Sequence, residues 1–230
     1  MLIIFDLDDT LIDTSGCITP VQLERALQHM VTAGLNVSNE GEALALLKRL
    51  DQTAESARAS LSEFLELMEA QEHLYAVGEK TIYGDFPSDI ILLPLENACE
   101  VLTELNYHHK LALVTVGKKD LQLKKMEKAG IDSSIFSKII VSEDRNKKPH
   151  YQAIIEDLGF TAKETIVCGD RVAIDLTPAK ELGCKTIHMR WGRGMNQTAY
   201  LTSKSDVDFA VTEFKQIKEV IAKLSFGAQI

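Results

Sequence analysis

The sequence is poor in the residues that mark secreted, membrane-bound or nucleic-acid-binding proteins. Its four cysteines, Cys17, Cys99, Cys168 and Cys184, form no CxxC pair and no dense framework. That excludes a disulfide-stapled scaffold and fits reduced thiols in a cytoplasmic compartment. Lys and Arg number 25 against 34 Asp and Glu, so nucleic-acid backbones and anionic membranes, which reward clustered cations, are not expected partners. The longest apolar run outside the start lies near Ile90-Ile91-Leu92-Leu93, far short of the roughly 20 residues of a membrane span. Met1-Leu2-Ile3-Ile4-Phe5 is too short for the apolar region of a signal peptide and runs straight into Asp6. No internal repeat or low-complexity tract is visible. The expectation is a soluble, cytoplasmic chain.

What is present has two textures. Five short aliphatic runs, Leu2–Phe5, Leu111–Val116, Lys138–Val141, Thr165–Cys168 and Lys185–Met189, are continuous rather than alternating. Parallel strands covered on both faces read this way. Helical patterns separate the later runs, over Glu96–Leu105, Lys119–Ala129, His150–Leu158 and Ile174–Leu182, and Gly130, Gly159 and Gly183 supply stop signals. Alternating strands and helices predict an α/β fold, a doubly wound parallel sheet of Rossmann-like type.

The segment between the first and second runs is different. Thr19-Pro20 starts a helix that Gly34 stops, and Ser38 can cap a second helix running through Leu50. A longer helix over Ala54–Ala70 carries Leu61, Phe64, Leu65 and Met68 at the spacing of a helix-helix core, and a further short helix falls between Glu72 and Tyr83. Residues 14–91 therefore predict a small α-helical bundle inserted into an α/β core of residues 1–13 and 92–230.

In a doubly wound sheet, sites form beyond the carboxyl ends of the strands. Asp6 and Asp8 follow the first strand, Thr115 ends the second, Lys147-Lys148-Pro149 follows the third, and Gly169-Asp170 follows the fourth with Asp175 five residues on. Each alone has a bland reading as a turn former, strand end or solvated pair. Together they place several carboxylates at one sheet edge, where they repel unless a cation neutralises them. Oxygen-only ligands suit Mg²⁺, a lysine and a hydroxyl can hold phosphate oxygens, and one carboxylate can attack while a second moves protons.

These motifs resemble those of the haloacid dehalogenase superfamily of phosphohydrolases along nearly the whole chain. Asp6-Leu7-Asp8-Asp9-Thr10 matches the DxDx[TV] motif, Thr115 the second motif, Lys148 best matches the third-motif lysine with Lys147 the other candidate, and Gly169-Asp170 through Asp175 matches GDxxxxD. The resemblance implies an aspartyl-phosphate on Asp6, Asp8 as general acid and base, and phosphate contacts from Thr115 and Lys148. It further implies Mg²⁺ held by Asp6, the Asp8 backbone carbonyl and Asp170, with Asp175 behind them or bound through water. Residues 14–91 would be the helical cap. The implied reaction is hydrolysis of a small phosphorylated metabolite, with a phosphosugar mutase and a non-catalytic binding module as alternatives. A dehalogenase is disfavoured because Asp8 is present. Two departures stand out: Pro94-Leu95-Glu96-Asn97 lacks the Pro-Gly step common in the family, and Arg171 replaces a small residue in the fourth motif.

Overall fold

A computed structural model describes residues 1–196 and 206–226. The chain forms two compact units, Met1–Asp13 with Leu92–Ile230, and Thr14–Ile91.

In the first unit, β1 (Leu2–Phe5), β2 (Lys110–Val116), β3 (Phe136–Ser142), β4 (Thr165–Gly169), β5 (Lys185–Met189) and β6 (Phe209–Val211) form one sheet. Their order is β3-β2-β1-β4-β5-β6, and every pairing is parallel. β1 is central, between β2 and β4, and all four of its residues are buried. A strand covered on both faces has no use for alternating polarity, which is why Leu-Ile-Ile-Phe reads as an unbroken apolar run.

The second unit is helical: α1 (Thr14–Cys17), α2 (Thr19–Thr32), α3 (Glu40–Thr53), α4 (Ala57–Leu67) and α5 (His73–Ile82). Its core joins Leu23, Leu27 and Met30 of α2 to Leu47 of α3, Leu61 and Phe64 of α4, and Leu74 of α5. The expected Leu61, Phe64, Leu65 stripe is the buried face of α4. Two boundaries move to better caps. Asn39, not Ser38, caps α3, its side chain accepting from the Gly41 and Glu42 amides. Ser56 caps α4 by accepting from the Ala59 amide, so that helix starts later than its apolar pattern suggests.

The sheet unit carries α6 (Ala98–Asn106), α7 (Lys119–Lys128), α8 (Lys148–Asp157), α9 (Thr177–Leu182) and α10 (Gln216–Phe226). Leu2 and Ile4 of β1 join Ala112 and Val114 of β2 and Val167 of β4 in a core that includes Tyr151 and Ile154 of α8 and Ala179 of α9. Phe5 faces Phe214 with ring centroids 5.9 Å apart. These positions alternate along β1, as strand geometry requires of side chains serving two faces. Each such burial stabilises by about 1.5–3 kcal/mol.

Asn97 adopts φ 65° at the start of α6; asparagine is among the side-chain-bearing residues best suited to that left-handed conformation. β6 was not expected. It has three residues, too few for a periodicity signal. No helix of the described residues is long and apolar enough to cross a membrane.

Candidate active site

The parallel register brings the chemistry to one edge. Phe5 is paired with Leu113 of β2 and with Cys168 of β4, so the residues just past these positions share one level. The Asp6 amide donates to the Cys168 carbonyl at 2.9 Å, which prolongs the ladder by one rung. Asp6, Thr115, Lys147, Asp170 and Asp175 are all buried. Immediately after Asp8 the backbone turns through Asp9, whose φ is 55°. A non-glycine residue held in the left-handed region is a feature that clusters at functional sites.

Lys147 is the centre of the site. Its Nζ donates to Asp6 Oδ1 at 2.6 Å and to Asp175 Oδ1 at 2.6 Å, and its side chain has no exposed surface. The preference for Lys148 is corrected here. Lys148 points outward and pairs with Glu181 at 2.8 Å, with 43% of its side chain exposed. Helical phase decides between the neighbours. Lys147 immediately precedes α8 and lies in phase with Tyr151, Ile154 and Ile155 on the buried face, whereas Lys148 falls in phase with exposed Gln152. The apolar stripe of α8 carried this signal, and the habit of lysine before proline obscured it.

Asp175 is fixed from two sides. Besides accepting from Lys147, its Oδ2 accepts from the Arg171 amide at 2.9 Å. The segment Val172–Leu176 is a π-helical turn, a wide turn that often marks functional sites. Gly169 is required at its base: a Cβ there would lie 2.5 Å from Asp175 Cβ.

One carboxylate oxygen from each of Asp6, Asp170 and Asp175 lies within 4.8 Å of the others. Burial pushes the Asp6 carboxyl up to about 6, against the pull of Lys147. Burial likewise holds Asp170 well above the usual carboxylate range, despite Arg171. Lys147 stays firmly charged, because Asp175 and Asp6 outweigh the cost of its burial. So crowded a set of buried carboxyls with hard oxygen donors fits a small divalent cation of the Mg²⁺ type. The Asp170 carbonyl accepts from His188 Nε2 at 2.9 Å, which fixes the protonated nitrogen of that ring.

The Asp8 carboxylate is not part of this group and is instead held by α7. Gln122 Nε2 donates to its Oδ2 and Lys125 Nζ to its Oδ1, both at 2.8 Å. Gln122 also donates to Thr115 Oγ1 at 2.6 Å. Sequence reading passed over both α7 residues, although Gln122 sits four residues before Met126 on the buried face. A polar residue in an apolar stripe was the available clue. Arg171 is half-buried; burial opposes its charge, but Asp170 and Asp175 outweigh that and keep it ionised. Gly192-Arg193-Gly194 forms a 3₁₀ turn after β5.

This arrangement matches a known family. The family model described as haloacid dehalogenase-like hydrolase matches residues 3–189. The chain belongs to that family. Among curated relatives, a glyceraldehyde 3-phosphate phosphatase of Methanocaldococcus jannaschii is 29% identical over 96% of this chain and 97% of its own. One of the same name from Pyrococcus furiosus is 25% identical over 96% of this chain and 93% of its own. Among solved structures, a predicted phosphoglycolate phosphatase from Haemophilus somnus aligns over 96% of this chain and 97% of its own, with TM-score 0.72 and 20% identity. The HAD-hydrolase YfnB from Bacillus subtilis, solved bound to magnesium, aligns over 96% of this chain and 98% of its own, with TM-score 0.62 and 17% identity. These structural likenesses concern the fold.

Proposed function

We propose that this protein is a Mg²⁺-dependent phosphatase that hydrolyses a small phosphate monoester, of the size and kind of glyceraldehyde 3-phosphate, through an aspartyl-phosphate on Asp6. The observation that carries the reading is the buried Asp6 carboxylate with Lys147 Nζ at 2.6 Å, beside Asp170 and Asp175. Relatives that match almost end to end are named as phosphatases of that triose phosphate.

In the first step an Asp6 oxygen attacks phosphorus, the P–O bond to the alcohol breaks, and Asp8 gives its proton to the departing oxygen. In the second, Asp8 takes a proton from water, the resulting hydroxide attacks phosphorus, and the bond to Asp6 breaks to release inorganic phosphate. Lys147 supplies positive charge to the transferring phosphoryl group. Thr115 Oγ1 already accepts from Gln122, so its own O–H remains free to donate to a phosphate oxygen. Mg²⁺, held by Asp6, Asp170 and the Asp8 backbone carbonyl, would neutralise charge between the nucleophile and the phosphate. Asp175 would keep Lys147 in place. The helical unit would act as the cap that selects among such esters.

The test is phosphate release from a panel of alkyl phosphates, including glyceraldehyde 3-phosphate, with Mg²⁺ or a chelator and with Asp6→Asn as the blank. Release that the chelator and the substitution both abolish is expected. Near wild-type release by Asp6→Asn would overturn the nucleophile, and an isomerised phosphate ester in place of free phosphate would make the protein a mutase.

A further inference from the structure

Asp8 is held by α7. Its carboxylate is gripped at both oxygens by residues three apart on one helix face: Lys125 Nζ at Oδ1 and Gln122 Nε2 at Oδ2, each at 2.8 Å. Gln122 is itself fixed. It is buried, and the same amide nitrogen reaches Thr115 Oγ1 at 2.6 Å and the Val116 carbonyl at 3.2 Å. Its two amide protons are thus shared among three acceptors, two at the end of β2 and one on Asp8 after β1. Gly117 leaves room for this, since a Cβ there would lie 3.1 Å from Gln122 Cδ. A single side chain therefore ties the residue proposed to move protons to the hydroxyl proposed to hold phosphate.

We infer that Gln122 and Lys125 are positioning residues that hold the Asp8 carboxyl in the orientation from which it hands a proton to the leaving oxygen. The inference rests on the phosphatase reading above. Asp8 stands on a turn after a strand, where a free side chain would sample several rotamers; two donors from a neighbouring helix restrict it to one. Neither α7 residue need touch the substrate.

The consequence depends on the leaving group. An alkyl phosphate expels an alkoxide that needs the proton, whereas 4-nitrophenyl phosphate expels a phenolate that leaves unaided. kcat/KM covers the steps through phosphoryl transfer to Asp6 and departure of the alcohol, so misplacing Asp8 should lower it for the first ester and spare it for the second. Lys125→Met, Lys125→Arg and Gln122→Met are compared on 4-nitrophenyl phosphate and on the best alkyl phosphate of the panel above, with thermal melting as a folding control. Lys125→Met should lose roughly 10- to 100-fold in kcat/KM on the alkyl ester and less than about 3-fold on the aryl ester, with Lys125→Arg recovering most of the loss. Gln122→Met also releases Thr115 Oγ1, so it should lose on both esters and more on the alkyl one. Equal losses on both esters in Lys125→Met, or an arginine no better than methionine, would overturn the positioning role. Should Gln122→Met fail to fold, the Lys125 pair decides alone, because that side chain is partly exposed. A wild-type protein that turns over neither ester overturns the phosphatase reading and this inference together. Wild-type turnover with equal losses overturns only the inference.

Discussion

Lys147 Nζ lies 2.6 Å from Asp6 Oδ1 in a pocket with no exposed lysine surface, and its neighbour in sequence is in solvent. Two adjacent lysines thus have opposite environments, and a pair of substitutions separates them. Lys147→Met should lower kcat roughly 10²–10³-fold, the usual effect of removing one donor to a developing negative charge. Lys148→Met should stay within about 2-fold of wild type, since it breaks only an exposed pair with Glu181. Comparable losses in both variants, measured as steady-state phosphate release, would contradict the assignment.

Gly169→Ala tests how tightly Asp175 is packed. The added Cβ would meet Asp175 Cβ at 2.5 Å, and the carboxylate cannot move without losing its bonds to Lys147 and the Arg171 amide. Overpacking of this kind costs about 1–3 kcal/mol. The expected result is a lower melting temperature together with a fall in turnover of at least about 10-fold. A variant that melts lower yet keeps wild-type turnover would show that Asp175 is not needed to hold Lys147.

The fold was legible because a buried parallel sheet writes itself as short aliphatic runs: β1 and β5 begin and end where those runs do. The edge was legible because Asp6, Thr115 and Asp170 stand at strand ends, where register alone sets their position. What escaped depends on direction rather than position. Choosing Lys147 over Lys148 required the phase of α8, and Gln122 and Lys125 required knowing which face of α7 meets the end of β2. The three residues of β6 carry too little pattern to find, and that strand is placed by its parallel pairing with β5.

Asn97 should behave as a conformational residue without a catalytic part. Its φ of 65° costs most side chains roughly 1–2 kcal/mol. Asn97→Ala should therefore lower stability by about that much, and Asn97→Gly should be neutral or slightly stabilising. Chemical denaturation of the three proteins ranks them, and alanine equal to glycine would refute the strain.

Asp208, beside β6, should make the protein acid-sensitive at one edge of its sheet. Its carboxylate accepts from Lys180 Nζ at 2.9 and 3.0 Å and from the Thr186 amide at 2.9 Å. Burial works to raise its pKa, but these donors outweigh it and hold the carboxyl below the ordinary value of 3.8. A carboxyl depressed in the folded state contributes stability above its unfolded pKa, and that contribution is lost as pH falls through the folded one. Asp208→Asn should thus be less stable than wild type at pH 7, and the gap should close as pH drops from about 4 towards 2. Urea midpoints of both proteins across that range supply the measurement. A gap that stays constant to the lowest pH would mean that the charge on Asp208 contributes nothing and that only the shape of its hydrogen bonds matters.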